Sequence, residues 1–350
     1  MNFLLSVEQT QIVDAARELL VERMPVARFR PPAAQVGNRD WQFWPQLGEL
    51  GFLGISLDAR HGGTGLTAAE EMLVYREFGR HLLSPAIFGV TLGVRLAAAA
   101  RPELLAPLLS GQLPVALGNP RGAVTLGSEC SGEFHLLDAE HAQWVLVCAE
   151  NGSALLARDG FTDVSQVLGT DHVLTLQRAH LKSTRPAVWL ASAAEDIYPL
   201  AELLISAYAV GVAEATRDMA VEYAKTREQF GKPIGSFQAI KHICADMAIR
   251  AEAAVCQVIF AALVQSEKRA GVPFHSVAAR LVAVEAALQN AAQNIQVHGA
   301  IGFTAEADAH LFVKRAHVLE QLWGNTRQQR RRMLAAELPE SRPTAMSAPA

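Results

Sequence analysis

Hydrophobic residues follow two different periods along this chain, and the change of period divides it into three consecutive parts. In the first part, apolar positions recur at helical spacing over residues 6–24, 41–50, 68–80 and 85–109. A period of three to four residues is typical of helices that pack one face on a core. The pattern therefore predicts an N-terminal helical domain over residues 1–114.

The middle part has the shorter period of β-strands. Short apolar or alternating runs are separated there by glycine, asparagine and aspartate, which is typical of strands joined by tight turns. The runs read VALGNP, GAVTLGS, EFHLL, WVLVCA, SALLAR, HVLTLQR and AVWLAS. We predict a small β domain over residues 115–195.

Helical periodicity returns in the last part, where each apolar pattern is long enough that the helix must pack on neighbours. A four-helix bundle over residues 196–338 satisfies this requirement, and the proline-, serine- and alanine-rich tail over residues 339–350 is predicted to be disordered. The three parts together predict an α+β fold. The predicted helices of the bundle cover residues 198–225, 236–270, 273–297 and 305–337.

Composition excludes several classes of function. Half of the 350 residues are hydrophobic and only 7% are aromatic, which suits packed helices. The formal net charge of −4 is small for this length, so the overall charge does not indicate a nucleic acid or an anionic membrane as a partner. The one dense basic run, residues 327–332, is interpreted as a solvated helix face near a C-terminus.

The cysteines and the N-terminus bear on the cellular setting. The four cysteines form no CxxC pair and no metal-binding spacing, which predicts a reduced environment and no metal site. The first residues, MNFLLSVEQTQIV, become polar too early for a signal peptide, and no apolar run reaches about 18 residues without interruption. We therefore expect a soluble cytoplasmic protein that does not insert into a membrane.

The run TREQFGKPIGSFQ, residues 226–238, interrupts the helical pattern of the last part. Its two glycines and its proline end one helix and allow another to begin. Arg227 at this corner can bind a carboxylate or a phosphate with two parallel hydrogen bonds, and Phe230 can lie against a planar ring. The alternative is a surface arginine beside a core phenylalanine.

Two further segments, QVHGAIGFTAEADAHLFVKRA from Gln296 and LWGNTRQQRRRM from Leu322, accompany this run. Together with TREQFGKPIGSFQAIKHICADM, they resemble the acyl-CoA dehydrogenase family of flavoproteins in order, spacing and residue types. The segment WPQLGELGFLGISLDARHGGTGLTAAEEMLVYREFGR, residues 44–80, is similar to the family's N-terminal helical domain. The resemblance is weak over residues 118–195, where the β domain is shortened. The family's architecture of helices, sheet and helices agrees with the domain prediction.

The resemblance implies FAD as the cofactor. In the family, FAD stretches between the β domain and the bundle, and its diphosphate and adenosine reach into a neighbouring subunit. Arg227 matches the arginine that meets the diphosphate of the adjacent chain, and Ala300 stands where the family usually has a second glycine. The positions that match cofactor contacts are Arg227, Phe230, Gln238, Gln296, Gly299, Ala300, Thr326 and Gln328.

The β domain departs from the family. Members usually carry a Thr-Glu pair followed by Gly-Ser-Asp, and these residues hydrogen-bond the isoalloxazine ring. The comparable region here reads ALGNPRGAVTLGSECSGEF, and this pattern is not present in it. Ser128 and Trp144 are candidate substitutes, although a core tryptophan at a strand end is the alternative for Trp144.

The resemblance also implies a reaction. Family members remove a proton α to a thioester carbonyl and transfer a β-hydride to flavin, which yields the trans-2-enoyl-CoA. A buried carboxylate suits this step, because burial raises the pKa of the carboxyl group. In many members the base is a glutamate that precedes a Gly-Thr pair near the C-terminus. Aligning LWGNTRQQ with that motif puts Gly324 at the glutamate's position, so the common base is absent.

A second location for the base is the start of the first bundle helix, as in the isovaleryl and long-chain branches of the family. Glu202, 25 residues before Arg227, is the catalytic candidate there. Ala201 stands at the spacing of those branches, so Glu202 is offset by about 100° around the helix. A first-turn glutamate favoured by the helix dipole is the alternative interpretation. Glu320 is a further candidate.

The leading hypothesis is an FAD-dependent acyl-CoA dehydrogenase with an acyl-CoA substrate and electron-transfer flavoprotein as the acceptor. The resemblance implies a homo-tetramer, or an α2β2 heterotetramer in which this chain is the partner that lacks the base. A flavin-dependent oxidase and a non-enzymatic helical assembly factor are the other hypotheses. Small residues over 207–211 permit a branched or bulky acyl group, from a fatty acid or a steroid side chain.

Overall fold

The structure is a computed structural model that describes residues 3–31, 40–192 and 197–336. Helices precede and follow a seven-stranded sheet, which confirms the predicted α+β fold. The domain limits at residues 114 and 195 stay predictions. The tail that was predicted to be disordered lies outside the described residues.

The first part consists of helices whose starts are fixed by side-chain caps. Ser6 and Thr67 accept hydrogen bonds from backbone amides of the first turn, and Gln9 and Glu70 bond back to complete a capping box at each helix. Such caps satisfy amide groups that have no partner within the helix. The helices are α1 (Val7–Arg23), α2 (Trp44–Glu49), α3 (Ala68–Arg80), α4 (Ala86–Ala100) and α5 (Leu105–Leu109).

The sheet has the order β5-β6-β2-β1-β3-β4-β7 and is antiparallel except for the pair of β1 and β3. Its strands are β1 (Val115–Thr125), β2 (Cys130–Leu137), β3 (Trp144–Ala149), β4 (Gly152–Ala157), β5 (Thr162–Gln166), β6 (Leu176–Thr184) and β7 (Val188–Ala191). Because side chains alternate between faces, Leu117 and Leu146 pack with the helices, whereas Ala116 and Val145 join a second core on the opposite face.

The last part is built on α6 (Ile197–Thr226), α7 (Gln238–Ser266) and α8 (Val272–His298), followed by α9 (Ala309–Gln321) and α10 (Thr326–Ala335). A two-stranded hairpin of β8 (Glu228–Gln229) and β9 (Lys232–Pro233) separates α6 from α7. The single helix predicted over residues 305–337 is wrong. Trp323 and Gly324 have φ values of 48° and 118°, which are incompatible with an α-helix, and Asn325 caps a new helix there.

Helix α6 lies in direct backbone contact with α3. A Cβ atom on Gly79 would lie 2.0 Å from the carbonyl oxygen of Tyr208, and one on Gly211 would lie 2.0 Å from that of Arg76. Only glycine permits two helices to approach so closely. Gly211 therefore serves helix packing, and a pocket for a bulky acyl group along residues 207–211 stays a prediction.

Two of the described helices, α6 and α7, are long and apolar enough to cross a membrane by length and composition alone. In the most apolar stretch of α6, 94% of the residues are buried inside the protein, as in the core helix of a bundle. In the most apolar stretch of α7, only 44% of the residues are buried. Helix α7 therefore presents an apolar face outside the core of the chain.

Candidate functional site

A cavity of about 920 Å³ lies between the sheet and the C-terminal helices. Its walls come from the later part of β1, the β3–β4 turn, the N-terminus of α6 and the connection between α9 and α10. Its charged lining residues are Arg121, Glu150, Arg331 and Arg332. The cavity is large enough for a cofactor-sized ligand, and its charged lining is predominantly positive.

The connection between α9 and α10 is held by a buried cation. Arg280 of α8 is 2% exposed and donates hydrogen bonds from Nη2 to the carbonyl oxygens of Leu319, Leu322 and Gly324. These carbonyls lie at and just beyond the end of α9, where the helix dipole favours positive charge. Burial lowers the pKa of Arg280. The arginine thus fixes the segment that forms one wall of the cavity.

Glu202 lies beneath the cavity and is paired with Arg332. The carboxylate is 1% exposed, and both of its oxygens accept hydrogen bonds from the guanidinium, Oε2 at 3.4 Å from Nη2. Burial raises the pKa of Glu202, and the charge of Arg332 opposes this shift. Arg332 also donates to Gln329 Oε1 at 2.7 Å and lies 4.6 Å from the ring centroid of Tyr198. The arginine therefore stands between the carboxylate and the cavity.

The two other positions considered for a base, Gly324 and Glu320, offer no carboxylate in the wall of the first cavity. Gly324 and its neighbour Trp323 carry no carboxylate. Trp323 is held by its backbone amide, which donates to Asn119 Oδ1 at 2.7 Å, and by its indole Nε1, which donates to the Gly118 carbonyl at 3.2 Å. Glu320 lines an adjoining cavity of about 460 Å³ between β2, β6 and α9, which shares Asn119, His135 and Gln321 with the first.

The residues that match the diphosphate end of FAD lie together at one end of the bundle. Tyr223 near the end of α6 stacks on His298 at the end of α8, with ring centroids 4.2 Å apart. This contact places Arg227 and Phe230, which follow α6, at the same end as Gly299, which follows α8. Gln238, Gln296 and Ala300 also lie at this end, because α7 begins and α8 finishes there.

This group fits an anionic ligand brought by another molecule. Within the described parts of the chain, the Arg227 side chain has no hydrogen-bond or ion-pair partner. Phe230 is 90% exposed. At Gly299, with φ of 63°, no atom lies within 4 Å of the place a Cβ would take, so the backbone is open to a ligand. A free cation, an exposed ring and a backbone that a bulky ligand can approach suit the diphosphate half of FAD.

The remaining predicted cofactor residues lie at the opposite end of α6. Gln328 lines the cavity, and Thr326 is the first residue of α10 beside it. Since α6 has 30 residues, about 45 Å separates its two ends. The predicted residues therefore form two groups that cannot contact one FAD molecule within a single chain. Neither Ser128 nor Trp144 lines the cavity.

Sequence reasoning missed the residues that organise the cavity, among them Arg280, Arg332 and Tyr198. The basic run was interpreted as a solvated face, which is wrong for Arg332, since its side chain is 16% exposed. Gln329 and Arg332 are three residues apart and share one side of α10, where they point inward. The cap at Asn325 and this spacing were the only signals in the sequence that could have indicated it.

Family models match both ends of the chain. The model of the acyl-CoA dehydrogenase N-terminal domain matches residues 6–109, and that of the C-terminal domain matches residues 200–338. The chain is 32% identical over 336 residues to acyl-CoA dehydrogenase IpdE2 of Mycobacterium tuberculosis, covering 95% of this chain and 98% of that protein. It is 34% identical over 306 residues to acyl-CoA dehydrogenase FadE34 of the same organism, covering 85% of this chain but only 43% of that protein.

Solved structures share the fold. Butyryl-CoA dehydrogenase of Megasphaera elsdenii has a TM-score of 0.81 at 19% identity, covering 96% of this chain and 99% of that chain. A chain of the ChsE4-ChsE5 complex of Mycobacterium tuberculosis has a TM-score of 0.81 at 24% identity, covering 96% of this chain and 98% of that chain. At these identities the likeness concerns the fold alone. The identity to IpdE2 over nearly the whole chain, with the two domain models, shows that this chain belongs to the acyl-CoA dehydrogenase family of oxidoreductases.

Proposed function

We propose that this chain is a subunit of an FAD-dependent acyl-CoA dehydrogenase whose proton-abstracting carboxylate is supplied by a second, different chain. The reaction is the α,β-dehydrogenation of an acyl-CoA thioester to the trans-2-enoyl-CoA. The observation that carries the proposal is the ion pair of Glu202 with Arg332. A general base needs an accessible lone pair next to the proton that it removes. The Glu202 carboxylate is buried, does not line the cavity and is paired with the guanidinium.

The division of the cofactor residues supports a site made by two chains. The group around Arg227 lies about 45 Å from the cavity, by the length of α6. It is exposed and open, as expected of residues that bind a cofactor seated mainly on another subunit. FAD seated on the other subunit would supply the hydride acceptor, and the group around Arg227 in this chain would hold its diphosphate and adenosine.

The exposed face of α7 supports association with another chain. Ile249 is 67% exposed, and Ala245, Ala253 and Cys256 are also exposed, at spacings that place them on one side of the helix. A contiguous apolar stripe of this kind is typical of an interface between subunits. The ChsE4-ChsE5 complex, which contains two differently named chains, has a chain of the same fold. We propose an α2β2 heterotetramer.

A second candidate function keeps the base in this chain. Burial raises the pKa of Glu202, which suits a base that works near neutral pH, and Arg332 lines the cavity and could be displaced by a ligand. In this case the chain would be a self-sufficient homo-tetrameric dehydrogenase. The two candidates differ in whether Glu202 is needed for reduction of the flavin.

Anaerobic reduction of the flavin distinguishes the candidates. Two samples are compared: the tagged chain isolated from its native cells with any bound partner, and the single chain with added FAD. The flavin absorbance of each sample is followed on addition of butyryl-CoA or octanoyl-CoA. We expect bleaching with the co-purified complex only. We also expect the complex to retain bleaching after Glu202→Gln, because the base belongs to the partner.

Glu320→Gln is the matched control, since it makes the same change at a carboxylate that lines the other cavity. The proposal fails if acyl-CoA bleaches the flavin of the single chain, and if Glu202→Gln abolishes this bleaching whereas Glu320→Gln does not. The proposal also names electron-transfer flavoprotein as the acceptor, which turnover with that acceptor tests. It names a fatty acid or steroid side chain as the acyl group, which a substrate series tests, and a cytoplasmic location, which fractionation of the native cells tests.

A further inference from the structure

Trp323 ends a group of packed aromatic side chains that extends from the cavity into the core, called here the aromatic stack. Trp323 is 4% exposed. Its ring centroid lies 6.4 Å from that of Phe88 in α4, which in turn lies 5.8 Å from Tyr208 in α6 and 5.3 Å from Tyr75 in α3. The aromatic stack consists of Tyr75, Phe78, Phe88, Tyr208 and Trp323.

Trp323 is fixed by hydrogen bonds to its backbone and to its indole ring. Its amide and its Nε1 donate hydrogen bonds to Asn119 and to the Gly118 carbonyl of β1, and its own carbonyl accepts a hydrogen bond from the Tyr198 hydroxyl at 2.8 Å. Its φ of 48° is uncommon for a bulky residue. Such a conformation persists only where the surroundings determine it. The side chain therefore has one defined position, at the inner wall of the cavity.

The aromatic stack occupies the apolar space next to a polar cavity. Arginine, asparagine and glutamine side chains are the commonest in the cavity wall, and Trp323 is the largest of the lining residues that also belong to the apolar core, beside Tyr198 and Cys148. An acyl chain needs an apolar channel that begins at its thioester. In this chain, Trp323 and Phe88 stand where such a channel would enter the space between α4 and α6.

We infer that Trp323 excludes the acyl group from the cavity of this chain, so that the cavity accepts only polar, anionic ligands such as the nucleotide part of CoA. This inference rests on the proposed function, since it explains why a subunit whose Glu202 is paired does not bind the substrate in its own cleft. Trp323 is then a specificity-determining residue. It assigns acyl-CoA binding to the partner's cleft.

A series of ligands with increasing acyl length tests the inference. The dissociation constants of CoA, butyryl-CoA, hexanoyl-CoA and octanoyl-CoA are measured by calorimetry on the full-length single chain. An apolar channel would strengthen binding by about fourfold for each added methylene. For the wild-type chain we expect no dependence on acyl length. For Trp323→Ala we expect affinity to rise with acyl length, because the indole leaves an apolar opening.

Phe134→Ala is the matched control. It also removes a buried aromatic ring, but one that packs on Phe161 in the core on the other face of the sheet. We expect this variant to show no dependence on acyl length. Trp323→Leu, which removes less volume, serves if Trp323→Ala does not fold, and we expect a smaller but measurable dependence.

Two results would overturn the inference. One is a wild-type affinity that increases by about fourfold per methylene, and the other is a folded Trp323 variant whose affinity does not change with acyl length. Failure of the proposed function is recognised separately, by reduction of the flavin in the isolated chain. If only the complex is reduced and the wild-type chain still selects longer acyl groups, the role of Trp323 alone is wrong.

Discussion

Arg315 of α9 and Asp171 of the β domain form an ion pair in which neither side chain is exposed to solvent, with Nε 2.8 Å from Oδ2. The same guanidinium donates from Nη1 to the carbonyl oxygens of Leu82 and Leu83, which follow α3, and to the Tyr208 hydroxyl of α6. One buried arginine therefore joins the three parts of the chain. A charge in this position is stable only while its partners remain in place.

Arg315→Met should lower the free energy of unfolding by about 3–5 kcal/mol, because it leaves the Asp171 carboxylate buried without its cation. Urea denaturation followed by circular dichroism measures this. Arg30→Met is the control, because Arg30 is 45% exposed and pairs with Asp308 near the surface, so its loss should cost at most about 1 kcal/mol. Equal effects of the two variants would show that the buried pair does not join the domains.

Gly211→Ala should lower the free energy of unfolding by about 3 kcal/mol, since its Cβ would lie 2.0 Å from the Arg76 carbonyl oxygen and force α3 and α6 apart. Gly93→Ala in α4 is the control. Its Cβ would meet the nearest side chain, Val115, at an ordinary 3.8 Å, so it should stabilise by up to about 1 kcal/mol through helix propensity. Thermal unfolding of both variants distinguishes them, and a neutral Gly211→Ala would contradict the close helix contact.

Arg227→Ala should reduce FAD content and oligomer size together, because we expect the arginine to bind the diphosphate of a cofactor seated on another subunit. Lys225→Ala is the control, since it removes the same charge two residues earlier, from an exposed pair with Glu222. Flavin absorbance and light scattering on the co-purified complex give the two readouts. Unchanged flavin content and size in Arg227→Ala would remove its cofactor role.

Asp138→Asn tests a pH dependence. Burial raises the pKa of Asp138 from 3.8 to about 6, while Asp40 adds to the shift and hydrogen bonds from Ser84 and Thr175, with the charge of Arg315, oppose it. The folded state thus binds the proton more tightly than the unfolded state. The stability contributed by this group is fully present below about pH 4 and is lost as pH rises through about 6.

Asparagine cannot titrate, so the stability of Asp138→Asn relative to wild type should increase between about pH 4 and pH 7, by at most about 3 kcal/mol. Urea denaturation of both proteins at several pH values in this window measures the difference. Asp159→Asn, which makes the same change at an exposed position of the β domain, is the control. A constant difference across the window would contradict the raised pKa.

Much of the fold follows from local sequence, because period, caps and turns each act over a few residues. The strand runs of the β domain and the corner around Arg227 were predicted in this way, and the capping boxes that the structure shows at Ser6 and Thr67 are equally local. The break at Trp323 was not predicted, although Gly324 and the capping residue Asn325 mark it in the sequence. A backbone in the left-handed region at that point depends on contacts with β1 and Tyr198.

The sequence by itself determined the family, the order of helices and strands, and the residue types suited to a flavin diphosphate. The tertiary structure decided what those residues can do. Glu202 and Arg332 lie 130 residues apart in the chain, and their pairing depends on how α6 and α10 are rotated and docked. The periodicity of either helix carries no information on that rotation, because packing against the rest of the protein sets it.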